Sequence, residues 1–279
     1  MGAFIHVTAW EQVSLWRRFL CAFVRVAILI ALLTVLINLL GPPIGIFFTA
    51  RWEARKVPGV KVAPQPLVDY SVSDAPGTVL SYFGYDFEVP WNAGFKQKAL
   101  GKGGLVQLEF ESGQNVTFIV PANQRGLLTE IVQDKSMHMN NLQVVFGDLM
   151  NRSAYDQYAA LLNTTPSSIR AFGPRVEAVR GLTLLIIKAI ASAPGLETGV
   201  FSFELPEKRG FQVGDPRKSK RVDLKVFDMG GHYVEIVCAT SKDSASLSQP
   251  ELNRILTSLH AAAAESSAAP SAHLTALPK

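Results

Sequence analysis

The most concentrated charge in this sequence lies in one short basic segment. Between Glu207 and Arg221 the chain reads EKRGFQVGDPRKSKR, in which six of fifteen residues are basic. Clustered lysine and arginine attract anionic lipid headgroups, acidic polymers and acidic protein surfaces. The segment therefore indicates a contact site for an anionic partner, and a solvated loop between two strands is the plainer alternative. The candidate contact residues are Lys208, Arg209, Arg217, Lys218, Lys220 and Arg221.

Metal ligands are not arranged in a recognisable pattern. Neither an H-x-x-x-H nor a C-x-x-C spacing occurs among the five histidines and two cysteines. The Met137-His138-Met139 triplet offers thioether and imidazole groups that suit Cu(I), although a single triplet is more typical of an ordinary loop. Cys238 lies in an apolar strand pattern, which is typical of a core position. We predict no metal and no other cofactor.

Catalytic signatures are also missing from the sequence. No G-x-S-x-G elbow occurs, and the acidic residues are scattered without an evident general acid and base pair. Gly101, Gly103 and Gly104 stand before a predicted strand, whereas a phosphate loop needs a following helix N-terminus. The sequence therefore favours a non-catalytic domain. A hydrolase whose site assembles from residues distant in sequence is the alternative.

One N-terminal segment predicts a membrane anchor. Phe19 to Leu40 comprises 22 residues, which as a helix span about 33 Å, enough for a hydrocarbon core of about 30 Å. No charged residue occurs from Val26 to Ala50. Trp10, Trp16 and Trp52 flank the apolar run, where indole rings favour the membrane boundary. We therefore predict a single-pass protein that contacts the membrane through this segment.

The apolar segment could be a retained anchor or a cleaved signal peptide, and its orientation in the membrane also has two possible interpretations. A cleaved signal peptide would need small residues at its exit, but Phe48-Thr49-Ala50 places a bulky side chain there. Orientation cannot be decided by charge, because basic residues lie on both sides of the anchor. The short tail, residues 1–18, is typical of a signal anchor and predicts an extracytoplasmic domain, with a cytoplasmic scaffold as the alternative. These basic residues are Arg17, Arg18 and Arg25 before the span, and Arg51, Arg55, Lys56 and Lys61 after it.

Composition divides the rest of the chain. We assign residues 19–50 to the anchor and its membrane-proximal end, and residues 51–78 to a proline-rich spacer. Residues 79–260 form the predicted soluble domain, and the alanine-rich residues 261–279 a predicted disordered tail. The first 50 residues hold three arginines and one glutamate, which leaves 24 basic and 22 acidic residues. A nearly neutral domain is not expected to bind nucleic acid.

Hydrophobic periodicity predicts an α+β domain. Two sets of three short strands with Gly-containing turns indicate an antiparallel sheet. Helices are predicted for residues 153–169 and 175–191, and for a segment that opens with the capping box Ser248 to Glu251. The fold class is therefore a transmembrane helix followed by an antiparallel sheet flanked by helices. The predicted strands are residues 82–90, 105–110, 115–120, 201–206, 222–227 and 232–237.

The order of these elements resembles a known fold family. An extended strand ending in FEVP, a curled antiparallel sheet and the closing segment SQPELNRILTSLH resemble the PsbP-like sandwich from Tyr82 to His260. The segments GYDFEVPW and RGFQVGDP are also similar to those of bacterial single-pass membrane-anchored proteins. The resemblance implies an αβα sandwich that serves as a binding or assembly domain of the envelope. It implies no shared active site and transfers no functional residues.

Overall fold

The structure is a computed structural model that describes most of the chain after residue 42. It describes residues 30, 43–91, 94–99, 104–122, 124, 126–128, 142–170, 174–191, 195–241 and 245–262. The predicted anchor, apart from Ile30, the Met137-His138-Met139 triplet and residues 263–279 lie outside this set. No helix among the described residues combines the length and the apolar character needed to cross a bilayer.

Five helices and eleven strands make up the described part of the domain. The helices are α1 Pro43–Lys56, α2 Leu142–Met150, α3 Ala154–Asn163, α4 Arg175–Ala191 and α5 Gln249–Ser258, with 3-10 helices at Pro58–Lys61 and Gly195–Glu197. The strands are β1 Gln65–Pro66, β2 Thr78–Tyr82, β3 Tyr85–Val89, β4 Phe95–Ala99, β5 Leu105–Phe110, β6 Gln114–Ile119, β7 Val200–Leu205, β8 Lys208–Val213, β9 Arg221–Asp228, β10 Tyr233–Thr240 and β11 His260–Ala261.

The strands form one large sheet and one small sheet. The large sheet has the order β1-β7-β8-β9-β10-β6-β5-β4, and the small sheet the order β11-β3-β2. The predicted α+β class is confirmed, but the large sheet is mixed because β1 pairs with β7 in parallel. The predicted strand at residues 82–90 contains β3, which forms a hairpin with β2 in the small sheet and is not part of the large sheet. The tight turn of this hairpin places Phe83 and Gly84 at positive φ.

The large sheet separates two hydrophobic cores. Helices α1 to α4 pack on one face, against side chains that include Phe211, Phe227 and Tyr233. Helix α5 and the small sheet cover the other face, where Leu224 and Ile236 are fully buried. Successive side chains of a strand point to opposite faces, so β9 and β10 contribute to both cores.

The segment that the sequence assigned to a spacer packs against the domain. Ala54 of α1 and Val60 of the following 3-10 helix are buried, as is Ala50, the last residue of the segment assigned to the anchor and its membrane-proximal end. Because alanine side chains are small, alanines one turn apart let two helices approach closely. They do not form the wide apolar stripe by which a buried helix face is recognised in a sequence. The spacer interpretation is therefore wrong for the start of this segment.

The later part of the same segment is tied to α5. The amide of Asn253, only 1% exposed, donates to the backbone carbonyls of Asp69 and Ser71. Arg254 donates to the carbonyls of Ser73 and Ala75. Side chains of α5 thus donate hydrogen bonds to backbone carbonyls of this extended segment, which would otherwise bond to water.

The capping box at the start of α5 is confirmed. The Glu251 carboxylate accepts hydrogen bonds from the Ser248 backbone N–H at 2.7 Å and from the Ser248 hydroxyl at 2.8 Å. Its other oxygen accepts from the Trp91 indole at 3.0 Å, which joins the cap to the core beneath. These bonds satisfy donors that a helix N-terminus otherwise leaves unpaired.

The cap gives a stability prediction. We expect Ser248→Ala to lower the free energy of unfolding by about 1 kcal/mol, because it removes the capping hydroxyl. Ser248→Thr, which keeps the hydroxyl, serves as the control and should lose less. Urea denaturation followed by circular dichroism measures both. An alanine variant as stable as the parent protein would show that the cap does not contribute.

Candidate functional site

The structure does not bring the six predicted contact residues into one patch. The predicted loop is wrong for residues 208–213, because this part forms β8, and only residues 214–220 turn into β9. Lys208 pairs with Asp228 and Val213 with Asp223, so the two ends of the β8–β9 hairpin are separated by five residues of strand, roughly 17 Å. Lys208 and Arg209 lie at one end, and the other four basic residues at the opposite end.

Lys208 and Arg209 make contacts within the domain. The Lys208 ammonium donates to the carbonyls of Thr257 and Leu259, at the C-terminal end of α5. Burial lowers the pKa of Lys208, and the negative charge of Glu207 opposes part of that effect. The Arg209 guanidinium stacks on the Tyr155 ring of α3 at 3.8 Å, on the other face of the sheet. Both cations therefore help to hold helices on the sheet.

The remaining basic residues surround the β8–β9 turn, here called the basic turn, Asp215 to Arg221. The carboxylate of Asp215 is buried and accepts from the Arg217 backbone N–H at 3.0 Å and from its guanidinium at 3.1 Å. The Lys218 ammonium lies 3.7 Å from the same carboxylate. The side chains of Arg217 and Lys218 are 80% and 66% exposed, so both cations can still reach a partner.

The electrostatics of the basic turn favour a charged carboxylate. Burial alone raises the pKa of Asp215, but the hydrogen bonds and charge of Arg217, together with the charge of Lys218, outweigh it and hold the pKa below its usual value. The resulting stabilisation is complete above the ordinary aspartate range and is lost as the pH falls through the lowered pKa. Arg221 makes a paired contact with Asp223 at 2.8 and 3.0 Å. Carboxylates thus neutralise part of the positive charge.

A second candidate site, which the sequence did not indicate, is a cleft at the 208/228 end of the hairpin. This terminal cleft has a volume of about 160 Å³ and an apolar lining that includes Val226, Val234 and Leu259. Its polar lining comes from β3, the β7–β8 turn with the start of β8, the end of β9 with the β9–β10 turn, and β11. These polar residues are Tyr85, Glu207, Lys208, Asp228, His232 and His260.

One side of the terminal cleft is formed by a histidine and an aspartate of the β9–β10 turn. Asp228 accepts from the His232 backbone N–H at 2.8 Å, and its second oxygen lies 3.1 Å from Nδ1 of the same residue. Gly231 at φ +88° permits the tight turn that brings the two together. A carboxylate at Nδ1 orients the ring and leaves Nε2 as the nitrogen available to a ligand.

The other side is formed by the small sheet. His260 pairs with Asp86 in the β3–β11 ladder, and its Nδ1 lies 2.6 Å from the Ser258 carbonyl. Its Nε2 lies 3.8 Å from the Asp86 carboxylate. Burial raises the pKa of Tyr85, and the charge of Asp228 raises it further, so the phenol stays protonated at neutral pH and can donate a hydrogen bond.

Other candidates from the sequence are placed as follows. Cys238 is fully buried, as predicted for a core residue, and burial followed by the charges of Asp223 and Glu251 raises its pKa. Within the described part of the chain, no group of three or more histidine, cysteine, aspartate or glutamate side chains is positioned to hold a metal ion. Gly104 directly precedes β5, and residues 101–103 lie outside the described residues.

Comparison with known proteins identified no relative of this chain. Searches against protein-family models, curated proteins and solved structures gave no significant match. The terminal cleft and the basic turn are therefore the features that bear on function.

Proposed function

We propose that this chain is a single-pass, membrane-anchored and non-catalytic binding or assembly domain of a bacterial envelope. The observation that carries the proposal is the terminal cleft, where polar side chains from four separate segments converge over an apolar lining. Its volume of about 160 Å³ is smaller than the roughly 300 Å³ at which small-molecule pockets begin. A cleft of this size fits one side chain or the chain end of a protein partner.

The chemistry of the cleft favours a ligand that donates hydrogen bonds. The Lys208 ammonium already donates to two carbonyls, which leaves the carboxylates of Glu207 and Asp228 and the imidazoles as the main polar groups. Carboxylates and neutral imidazole nitrogen accept hydrogen bonds, whereas Tyr85 can donate one. A lysine, arginine or amide side chain of the partner meets these requirements.

The attachment to the membrane is part of the same proposal. The apolar run from Phe19 to Leu40 supports a retained anchor, and the domain is proposed to lie on the extracytoplasmic side of the membrane. Alkaline phosphatase fused after Lys279 should be active in this orientation. An inactive fusion would instead favour the alternative, a scaffold on the cytoplasmic side.

The domain is proposed to have an αβα sandwich fold. Helices α1 to α4 on one face of the large sheet, and α5 on the other, support an αβα sandwich. This arrangement agrees with the resemblance to the PsbP-like sandwich, which implies binding or assembly. The functional residues proposed above come from the site of this chain and not from that resemblance.

Site-specific crosslinking tests the cleft. A photoreactive phenylalanine derivative at Tyr85, introduced into the full chain in native membranes, should form an adduct with one partner. The same group at Val79, which is 70% exposed on the neighbouring strand, is the matched control and should not. His232→Ala should reduce the Tyr85 adduct severalfold, because the partner loses a contact. Identical adducts at both positions, or no effect of His232→Ala, would refute the cleft as the binding site.

The basic turn is proposed as a second contact if the partner is anionic. The exposure of Arg217 and Lys218 supports this role. Replacing both with glutamate should weaken crosslinking or liposome binding severalfold at low salt and less at high salt. Unchanged binding would remove the basic turn from the interface.

The enzymatic alternative has one specific observation in its favour. Asp228 and His232 have the geometry of a carboxylate that orients a general base. Among the described residues, those that line the terminal cleft include no serine, threonine or cysteine, so a base in this part of the chain would have to activate water. Ester hydrolysis by the purified protein that disappears in His232→Ala would support a hydrolase over a binding domain.

A further inference from the structure

Helix α1 carries two apolar stripes on opposite sides. Ile46 and Ala54 represent the first stripe, which is buried in the core with Ala50 between them. The second stripe, here called the outer stripe, is Ile44, Phe48 and Trp52, whose exposed fractions are 40%, 64% and 59%. Residues four apart share one face of a helix, so these three side chains form a continuous apolar strip. An exposed strip with two aromatic rings indicates an interaction surface.

Basic residues border the outer stripe. On a helix with 3.6 residues per turn, Arg51 and Arg55 project on the same side as Phe48. The Arg51 guanidinium stacks on the Phe47 ring at 3.4 Å, and Arg55 is exposed in the last turn. Aromatic and aliphatic side chains bordered by arginine are typical of a helix that lies in the interface of an anionic membrane.

The position of α1 along the chain fits a membrane as the ligand. Pro43, its first residue, follows Leu40 by three residues, so about 11 Å of chain at most joins it to the end of the proposed anchor. The headgroup region is several ångströms deep on each side of the hydrocarbon core. If Leu40 ends the span, α1 therefore begins within or directly beside the headgroup layer.

The packing of α1 holds its orientation. The buried stripe fixes the helix against α4, so the outer stripe points away from the core. On α4, Ile190 is 45% exposed and lines a groove of about 210 Å³ between the two helices. The outer stripe can therefore insert into a membrane only together with the helical layer of the whole domain.

We propose that α1 is an interfacial helix, whose outer stripe inserts at the boundary between headgroups and acyl chains while the exposed Arg55 contacts anionic lipid headgroups. This inference rests on the membrane anchor of the proposed function. It also orients the domain: the layer α1 to α4 faces the bilayer, and α5 with the small sheet faces away. The terminal cleft, lined by Val226, Val234 and Leu259 of the α5-side core, is then open to a partner.

Fluorescence in proteoliposomes tests the interfacial helix. The full chain with Cys21→Ser and Phe48→Cys is labelled with an environment-sensitive fluorophore and reconstituted into phosphatidylcholine vesicles containing phosphatidylglycerol. Cys238 is fully buried and should not react. The control carries the label at Val68→Cys, which is 90% exposed. We expect blue-shifted emission and quenching by headgroup-attached nitroxide lipids at position 48, at least about twofold stronger than at position 68.

Arg55→Glu in the labelled protein is expected to reduce the quenching at position 48 in vesicles with phosphatidylglycerol, but not in pure phosphatidylcholine.

Three distinguishable outcomes would overturn either the membrane anchor or the interfacial helix. A protein that does not float with the vesicles contradicts the anchor itself. A protein that floats while position 48 remains in water contradicts only the interfacial helix. Energy transfer between labelled copies without lipid quenching would assign the outer stripe to a second copy of the chain.

Discussion

Glu235→Leu is expected to lower the free energy of unfolding by about 3 to 5 kcal/mol, because it leaves a buried ammonium without its counter-ion. Lys225 is 3% exposed, and its Nζ lies 2.7 Å from the Glu235 carboxylate, which is 20% exposed. The two residues are directly paired across β9 and β10, and Lys225 also lies 5.2 Å from the Tyr158 ring of α3. The ion pair therefore lies under the helical layer.

A double substitution separates the ion pair from simple packing. Lys225→Met with Glu235→Leu removes both charges and should recover most of the loss, since a buried pair is often replaced by apolar residues at little cost. Chemical denaturation of both single variants and the double variant gives the coupling energy. Additive losses in the double variant would contradict a direct interaction between the two charges.

Lys188→Met should lower the free energy of unfolding by about 2 to 4 kcal/mol, because it leaves buried carbonyls without a donor. Lys188 is fully buried, and its ammonium donates to the carbonyls of Val62, Leu162 and Thr164 at 2.7, 2.6 and 3.0 Å. Two of these carbonyls are at the C-terminal end of α3, where helices have unpaired acceptors. One side chain thus joins α3, α4 and the segment before β1.

The same residue should make stability depend on pH. Burial lowers the pKa of Lys188 to about 8 from an ordinary value of 10.5. Between these two values the unfolded chain binds a proton that the folded protein has released, so the stability of the parent protein should rise with pH. The free energy of unfolding of the parent protein minus that of Lys188→Met should rise by at most about 1.4 kcal/mol per pH unit between these two values. Below pH 8 this difference should be constant. A constant difference from pH 7 to 10.5 would contradict the lowered pKa.

Features set by neighbouring residues could be predicted from the sequence. Helix α4 has the predicted bounds Arg175–Ala191, and the capping box places the start of α5 correctly. Both signals are local, because helix periodicity and capping involve residues within a turn or two. Strand β1 could not be predicted in this way, since two residues show no alternation and its parallel partner β7 is more than 130 residues away.

Features set by tertiary contacts were not visible in the sequence. Lys188 stands in an apolar helix, and its local sequence gives no sign of the three carbonyls from other segments that surround its ammonium. His232 and His260 meet at the terminal cleft only because the small sheet lies beside one end of the central strands β8, β9 and β10. The density of charge in the basic segment predicts a loop, whereas its first part, which includes Phe211 and Val213, forms β8.

Attachment of the domain to a membrane by its N-terminal segment can be measured directly. Cells that express the full chain are lysed without detergent, and the membranes are washed with alkaline carbonate and collected by ultracentrifugation. We expect the protein to remain in the pellet and to be released only by detergent. Protein in the supernatant that mass spectrometry shows to retain residues 1–50 would contradict it.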